Sequence, residues 1–137
     1  MLKNDILKKM QTIVGKDFVS GRDEELFIYS RDPGASEPRD VNLIALPKTA
    51  EEIQQILAFA NQESIPVIPM GAGLTLSGLT IPIKGGIILD LKRMSRIIEI
   101  NESSRYALIE PGVSAGQLMS YLDKSYPNLQ PPIPDAP

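Results

Sequence analysis

The segment most informative about the fold is PVIPMGAGLTLSGLTIPIKGGIILD, residues 66–90. A short apolar run at residues 65–69 overlaps its start and a second one at residues 87–91 overlaps its end, and both have the character of strands. Between them lie glycines, prolines and small hydroxyl residues, so the sequence predicts a strand, a glycine-rich loop and a second strand. Glycine has no Cβ, so backbone N–H groups in such a loop can turn toward a bound anion at close range.

The glycine-rich loop admits two interpretations. It binds a diphosphate-bearing cofactor, with hydroxyl donors from Thr75 and Ser77, or it is only a turn, which glycines between strands equally favour. No Gly-Lys-Ser/Thr follows, so the loop is not a Walker A motif. It is not the G-x-G-x-x-G dinucleotide fingerprint either, because the glycine spacing differs and Pro82 stands where a helix should begin.

Working outward toward the N-terminus, apolar residues at helical spacing predict an amphipathic helix over residues 3–14 that packs on the core and stops at Gly15. A membrane-surface helix is the alternative, but three lysines are too few to favour it. A short helix over residues 24–29 and a charged, proline-containing linker follow. A buried strand at residues 41–46 then leads into a helix that opens with the capping box Thr49 to Glu52.

Strand, helix and strand in under 30 residues make a βαβ unit with parallel strands, whose carboxyl edge is where open α/β sheets bind ligands. Beyond the third strand, residues 96–100 and 105–109 are predicted to form an antiparallel hairpin, and a capping box from Ser114 to Gln117 opens a last helix. The predicted fold class is therefore α+β (or α/β), a small parallel βαβ-β layer followed by antiparallel strands.

Composition narrows the classes of function. The 137 residues suffice for one ordinary domain, and a net charge of −3 argues against nucleic acid as a partner. The chain has no cysteine and no histidine, no carboxylate cluster with metal-ligand spacing, and no catalytic constellation, so we assign no catalytic or metal-binding residue. We find no apolar run long enough for a transmembrane segment and no signal-peptide pattern, and we expect a cytoplasmic protein.

The run PMGAGLTLSGLTIPIKGGIILDLKRMSRIIEI, residues 69–100, resembles the FAD-binding domain of the vanillyl-alcohol oxidase (PCMH-type) flavoprotein family. Its greatest likeness is to the branch that contains glycolate oxidase and D-lactate dehydrogenase. The matching residues are Pro69, Gly71, Gly73, Leu76-Ser77-Gly78, Pro82, Gly85-Gly86-Ile87, Asp90-Leu91, Arg93-Met94 and Pro111-Gly112-Val113. Two departures stand out, because Met70 replaces the usual Arg and Leu74-Thr75 replaces Thr-x. No charged contact is therefore expected from position 70.

The resemblance implies that FAD lies between two subdomains and that main-chain N–H groups of the loop hold its diphosphate. It also implies a contact from the proline-rich stretch near the C-terminus. Relatives that attach flavin covalently use His or Cys, which this sequence lacks, so the FAD is expected to be non-covalent. The implied cofactor-binding residues are Pro69, Met70, Gly71, Ala72, Gly73, Leu74, Thr75, Ser77, Gly78, Pro132 and Asp135.

The resemblance further implies an N-terminal helical segment and linker at residues 1–37 and the N-terminal part of an FAD-binding PCMH-type domain at residues 38–137. The chain would be a truncated fragment of an FAD-dependent 2-hydroxyacid oxidoreductase, in which flavin N5 takes a hydride from the α-carbon of glycolate or D-lactate. Its partners would be that substrate and either a second copy or an electron-transfer subunit. Alone, the fragment is expected to be inactive and to bind FAD weakly or not at all. A non-catalytic module that binds another phosphate ligand or a partner protein is the alternative.

Overall fold

The computed structural model describes residues 3–131, which divide into two compact units with the boundary after Arg93. In chain order the first unit contains α1 (Lys3–Val14), β1 (Val19–Ser20), α2 (Asp23–Tyr29), β2 (Leu43–Ala45), α3 (Ala50–Gln62), β3 (Val67–Met70) and β4 (Ile87–Asp90). The second unit contains β5 (Ile97–Asn101), β6 (Tyr106–Ile109) and α4 (Ala115–Ser125). Among the described helices, none is long and apolar enough to cross a membrane.

The first unit is built on a four-stranded sheet with the order β1-β2-β4-β3. β1 runs antiparallel to β2, whereas β2 and β3 each pair in parallel with β4. The predicted parallel relation of the first two long strands is therefore confirmed, but β4 lies between them and pairs with both. All four residues of β4 are buried, as a central strand covered on both faces requires.

Helices cover both faces of this sheet. Met10 of α1 and Ile56 of α3 are fully buried in one apolar cluster together with residues of β2 and β4. Leu26 of α2 joins a second cluster with Ile44 and Ile88, whose side chains alternate with those of the first cluster along the strands. The predicted amphipathic helix at residues 3–14 is thus a core helix, and α2 begins one residue earlier than predicted.

The central strand enters the sheet through the glycine pair at residues 85 and 86. The Gly86 N–H donates to Asn42 Oδ1 at 2.6 Å, and its carbonyl oxygen accepts from the N–H groups of Asn42 and Leu43. Gly86 has a φ of +115°, and a Cβ there would lie 2.3 Å from the carbonyl oxygen of Pro66. The positive φ and the backbone of Pro66 therefore both disfavour a side chain at this position.

The first predicted capping box forms only in part. The Thr49 hydroxyl accepts from the Glu52 N–H at 3.3 Å, as predicted. The Glu52 carboxylate, however, accepts from the N–H of Lys48 at 2.6 Å and not from that of the cap residue. Glu52 therefore restrains the residue before the N-cap of α3.

The second unit contains the predicted hairpin and helix. β5 and β6 pair antiparallel, with a bulge between Ile97 and Glu99, and each begins one residue later than predicted. In the capping box of α4, the Ser114 hydroxyl accepts from the Gln117 N–H at 3.2 Å and the Gln117 side chain accepts from the Ser114 N–H at 2.8 Å. This second box is reciprocal, as predicted.

An ion pair next to the hairpin gives the second unit a pH-dependent stability. Arg96 donates from its guanidinium to Glu110 Oε1 at 2.7 and 2.8 Å, and from its backbone N–H to Oε2 at 2.7 Å. These bonds hold the pKa of Glu110 below its ordinary value of 4.5. A carboxylate with a lowered folded-state pKa stabilises the fold above its unfolded-state pKa, and this contribution is lost as the pH falls through the lowered value.

We therefore expect Glu110→Gln to weaken the pH dependence of stability in acid. Thermal unfolding midpoints of the wild type should fall more steeply than those of the variant as the pH drops below about 4.5. Glu102→Gln, at an exposed carboxylate in the hairpin turn, is the matched control and should follow the wild type. Parallel curves for all three proteins would contradict the prediction.

Candidate functional site

The glycine-rich loop begins where two parallel strands end side by side. Met70, the last residue of β3, is in register with Asp90, the last residue of β4. The loop therefore leaves the sheet at its carboxyl edge, as predicted, and the side chains that end both strands are neighbours. Ligands of open α/β sheets bind at this edge.

A cavity of about 300 Å³ lies against the start of this loop. Its volume is at the lower end of the range for small-molecule pockets, so it suits one phosphate-sized part of a larger ligand. Two of the three loop residues that line it are glycines, which leave the backbone open to close approach. The lining residues are Ile28, Tyr29, Arg31, Met70, Gly71, Ala72, Gly73, Asp90 and Lys92.

Three of these lining residues form a hydrogen-bonded cluster. Asp90 is only 2% exposed, and its Oδ2 accepts from the Tyr29 hydroxyl at 2.5 Å and lies 2.7 Å from Lys92 Nζ. Lys92 Nζ also donates to the Tyr29 oxygen at 3.1 Å, and the Lys92 backbone N–H donates to Asp90 Oδ1 at 3.1 Å. A buried carboxylate is costly unless it is paired and hydrogen-bonded, and both conditions hold here.

The cluster keeps the side chain of Lys92 protonated beside the cavity. Burial disfavours the charge on Lys92, but the Asp90 carboxylate and the Tyr29 hydroxyl outweigh it, so the pKa of Lys92 lies above its ordinary value. Burial, followed by the hydrogen bond to Asp90, raises the pKa of Tyr29, which stays a neutral donor. An ammonium group at the start of a glycine loop is well suited to bind phosphate oxygens.

The second half of the loop has a different partner within the chain. Asp32 Oδ2 accepts from the Gly78 N–H at 2.7 Å and from the Thr75 hydroxyl at 3.4 Å. Thr75 and Gly78, both predicted cofactor-binding residues, therefore donate to a carboxylate of the linker. The loop thus divides into a half that lines the cavity and a half that is bound by Asp32.

The structure separates the remaining predicted site residues. Met70 and the three residues after it line one cavity, whereas Leu74 is 76% exposed, and Ser77 and Pro69 are also exposed. Pro132 and Asp135 lie outside the described residues. Of the predicted cofactor-binding residues, the structure therefore brings only residues 70–73 together at the cavity.

Sequence reasoning assigns no site role to Asp32, Asp90 or Lys92. Asp90 enters only as part of the resemblance, as does Asp32, which with Tyr29 matches the Tyr-x-x-Asp that precedes the FAD domain in that family, and nothing singles out Lys92. The available signal is a single carboxylate at the end of a strand that is otherwise wholly apolar, since an acidic residue there needs a partner. The identity of that partner cannot be read from spacing, because Tyr29 lies 61 residues away.

A larger cavity of about 850 Å³ lies between α1, β1 and α2. Tyr29 and Lys92 line it as well, but none of the glycine-loop residues does. We place the candidate site at the smaller cavity because the glycine-loop backbone, the Lys92 ammonium and the carboxyl edge of the sheet meet there.

Within residues 3–131, no group of three His, Cys, Asp or Glu side chains is arranged to hold a metal ion.

Comparison with known proteins gives a consistent result. Residues 41–132 match the family described as FAD binding domain. The glycolate oxidase subunit GlcD of Bacillus subtilis is 28% identical over 113 residues, covering 82% of this chain and 24% of the relative. The 4-cresol dehydrogenase [hydroxylating] flavoprotein subunit of Pseudomonas putida is 29% identical over 126 residues, covering 89% and 24%. The chain therefore spans about a quarter of the length of these relatives.

Solved structures agree on the fold. Substrate-bound p-cresol methylhydroxylase matches with a TM-score of 0.81 and 30% identity, covering 92% of this chain and 25% of that one. The 4-ethylphenol oxidase of Gulosibacter chungangensis matches with a TM-score of 0.80 and 26% identity, covering 89% and 24%. The predicted fold class, a parallel layer followed by antiparallel strands, is confirmed.

Proposed function

The chain belongs to the FAD binding domain family, and from this premise we propose that it supplies the diphosphate end of the FAD site in a 2-hydroxyacid oxidoreductase. Membership confirms the predicted resemblance and the predicted cofactor, and the names of the relatives support a flavin oxidoreductase as the whole protein. The choice of glycolate or D-lactate as substrate is supported by the names of two relatives, glycolate oxidase subunit GlcD and D-lactate dehydrogenase. The observation that carries the proposal is the glycine loop at the carboxyl edge of the sheet.

The residues at that edge fit one end of FAD. The backbone of residues 71–73 would contact the diphosphate oxygens, and the Lys92 ammonium would offset their charge. Asp90 and Tyr29 hold Lys92 in place through the cluster described above. When bound, the flavin supplies the redox chemistry by accepting a hydride from the substrate, and these residues bind and orient it. Pro69, Leu74 and Ser77 remain proposed contacts.

A second candidate substrate class has its own support. Two matched proteins are named for 4-cresol or p-cresol, one of them at 29% identity over 126 residues and the other with a TM-score of 0.81. Oxidation of a 4-alkylphenol is therefore the alternative. The name of the 4-cresol relative also describes a flavoprotein subunit, which supports our proposal of a partner electron-transfer subunit over a second copy of this chain.

The test is flavin reduction without oxygen. The purified oxidoreductase that contains this chain, loaded with FAD, is mixed with glycolate, D-lactate or 4-cresol, and loss of the visible flavin absorbance is followed. Bleaching by a 2-hydroxyacid is expected. Bleaching by 4-cresol alone would overturn the substrate proposal in favour of the alternative, and bleaching by none of the three would favour a non-catalytic module.

Met70 should contribute little to FAD affinity. Its side chain lines the cavity but offers only a thioether, a weak acceptor with no charge. Met70→Ala should therefore change the binding free energy by less than about 1.5 kcal/mol. Titration with FAD, followed by flavin fluorescence, measures this change, and Met119→Ala in α4 is a matched control for the same substitution at a half-exposed helix position. A loss of several kcal/mol would show that Met70 contacts the cofactor directly.

A further inference from the structure

The linker segment at residues 32–36, DPGAS, lies directly against the second half of the glycine loop. A Cβ on Gly34 would be 2.2 Å from the carbonyl oxygen of Leu76, so the two backbones touch at this point. A Cβ on Gly78 would be 2.7 Å from Ser36 Oγ. The linker segment therefore packs along the loop, with a glycine at two of the points where the two segments meet.

Asp32 connects this linker segment to the loop through hydrogen bonds. Its Oδ1 accepts from the Gly34 N–H at 3.0 Å, which orients the carboxylate, and its Oδ2 accepts from Gly78 and Thr75 as described above. The bond to Gly78 connects residues 46 positions apart. Hydrogen bonds to an ionised carboxylate are stronger than those between neutral groups, so one side chain can restrain a loop that has few buried contacts.

We propose that Asp32 is a positioning residue for the cofactor. It holds the loop at residues 75–78 in one conformation before FAD arrives, so that residues 71–73 present their backbone to the cavity without further ordering. Preorganisation of this kind raises affinity because the ordering cost is not incurred on binding. The inference rests on the proposed diphosphate site at the start of the loop.

The position of the carboxylate also defines where the diphosphate lies. Asp32 already uses the Gly78 N–H and the Thr75 hydroxyl, and its negative charge would repel a phosphate placed on the same donors. Arg31, Lys92 and Asp90 line the cavity at the other half of the loop, so positive charge is in excess there. Charge and hydrogen bonding therefore both direct an anionic ligand toward residues 71–73.

The experiment compares Asp32→Asn with Glu37→Gln, which removes an exposed carboxylate five residues away. In the FAD-free protein, hydrogen exchange of the Gly78 amide, measured by NMR, should be about tenfold faster or more in Asp32→Asn, the effect of losing one hydrogen bond to a charged group. The dissociation constant for FAD should rise about tenfold, while the thermal unfolding midpoint stays close to that of the control. Glu37→Gln should leave both the exchange rate and the affinity unchanged.

The outcomes separate this inference from the proposed function. Unchanged Gly78 exchange in Asp32→Asn would overturn it, and so would faster exchange with unchanged FAD affinity. Loss of affinity without faster exchange would show that Asp32 contacts FAD itself and does not act through the loop. If the wild-type oxidoreductase that contains this chain binds no FAD, the proposed diphosphate site fails, whereas the exchange measurement still decides whether Asp32 holds the loop.

Discussion

Gly73→Val should abolish FAD binding by the gene product. Gly73 has a φ of +70°, a left-handed conformation that a β-branched residue adopts only at high cost. A Cβ at this position would also lie 3.1 Å from Met70 Sδ, on the side of the cavity. Because the Met70 side chain can move, the backbone conformation is the larger obstacle, and the first half of the loop must rearrange. Titration of the variant and the wild type with FAD measures the effect.

Gly73→Asn is the matched variant for this test. Asparagine is the side chain that tolerates the left-handed conformation best after glycine, so it adds volume with less backbone strain. If the conformation of residue 73 is decisive, the asparagine variant should keep more affinity than the valine variant. Wild-type affinity in Gly73→Val would mean that the loop is only a turn, the other interpretation that its glycines allow.

Gly86→Ala should have the largest effect on folding. Its φ of +115° is strained for alanine, and the added methyl group would meet the backbone oxygen of Pro66 at 2.3 Å, a contact that no side-chain rotation relieves. Either β4 shifts away from β3, or the hydrogen bonds between Gly86 and Asn42 break. We expect the free energy of unfolding to fall by about 3 kcal/mol or more, measured by urea denaturation.

Gly116→Ala provides the control for the same chemical change. Gly116 lies in the first turn of α4, and no atom would come within 4 Å of a Cβ there. Alanine in a helix is favoured over glycine by up to about 1 kcal/mol, so this variant should be as stable as the wild type or more so. Equal stability of both alanine variants would show that residue 86 tolerates a side chain and that the sheet is not constrained at this point.

The elements of this fold follow from local patterns, whereas the order of its strands does not. The helix at residues 3–14 and the hairpin at residues 97–109 were predictable because their signals lie in apolar periodicity and turn residues. Apolar periodicity does not specify which strands lie side by side in a sheet, and so the position of β4 between β2 and β3 was not predicted. The Glu52 carboxylate likewise bonds to Lys48, because a capping pattern does not specify which of two adjacent N–H groups donates to the side chain.

The candidate site was likewise predictable only in its local part. The glycine loop was predictable from residues 71–78 themselves, since strand ends and glycines are adjacent in the sequence. Its partners were not, because Asp32 reaches Gly78 across 46 residues and Lys92 reaches Tyr29 across 63. A family resemblance indicated which loop mattered, but only the structure shows that Asp32, Asp90 and Lys92 surround it.

The place of β4 between two earlier strands has a consequence during synthesis of the chain. β2 and β3 leave the ribosome before β4, and neither can pair with its parallel neighbour until residues 87–90 emerge. Roughly 40 residues separate the end of β2 from the start of β4, which at typical translation rates is an interval of about two to eight seconds. Throughout that interval β2, which pairs with β1 on one side, has its other edge unpaired, and β3 stays without its partner from its own synthesis until β4 emerges. Chaperones bind to exposed strand edges of this kind. The exposure ends when β4, which follows the glycine pair at residues 85 and 86, pairs with both strands.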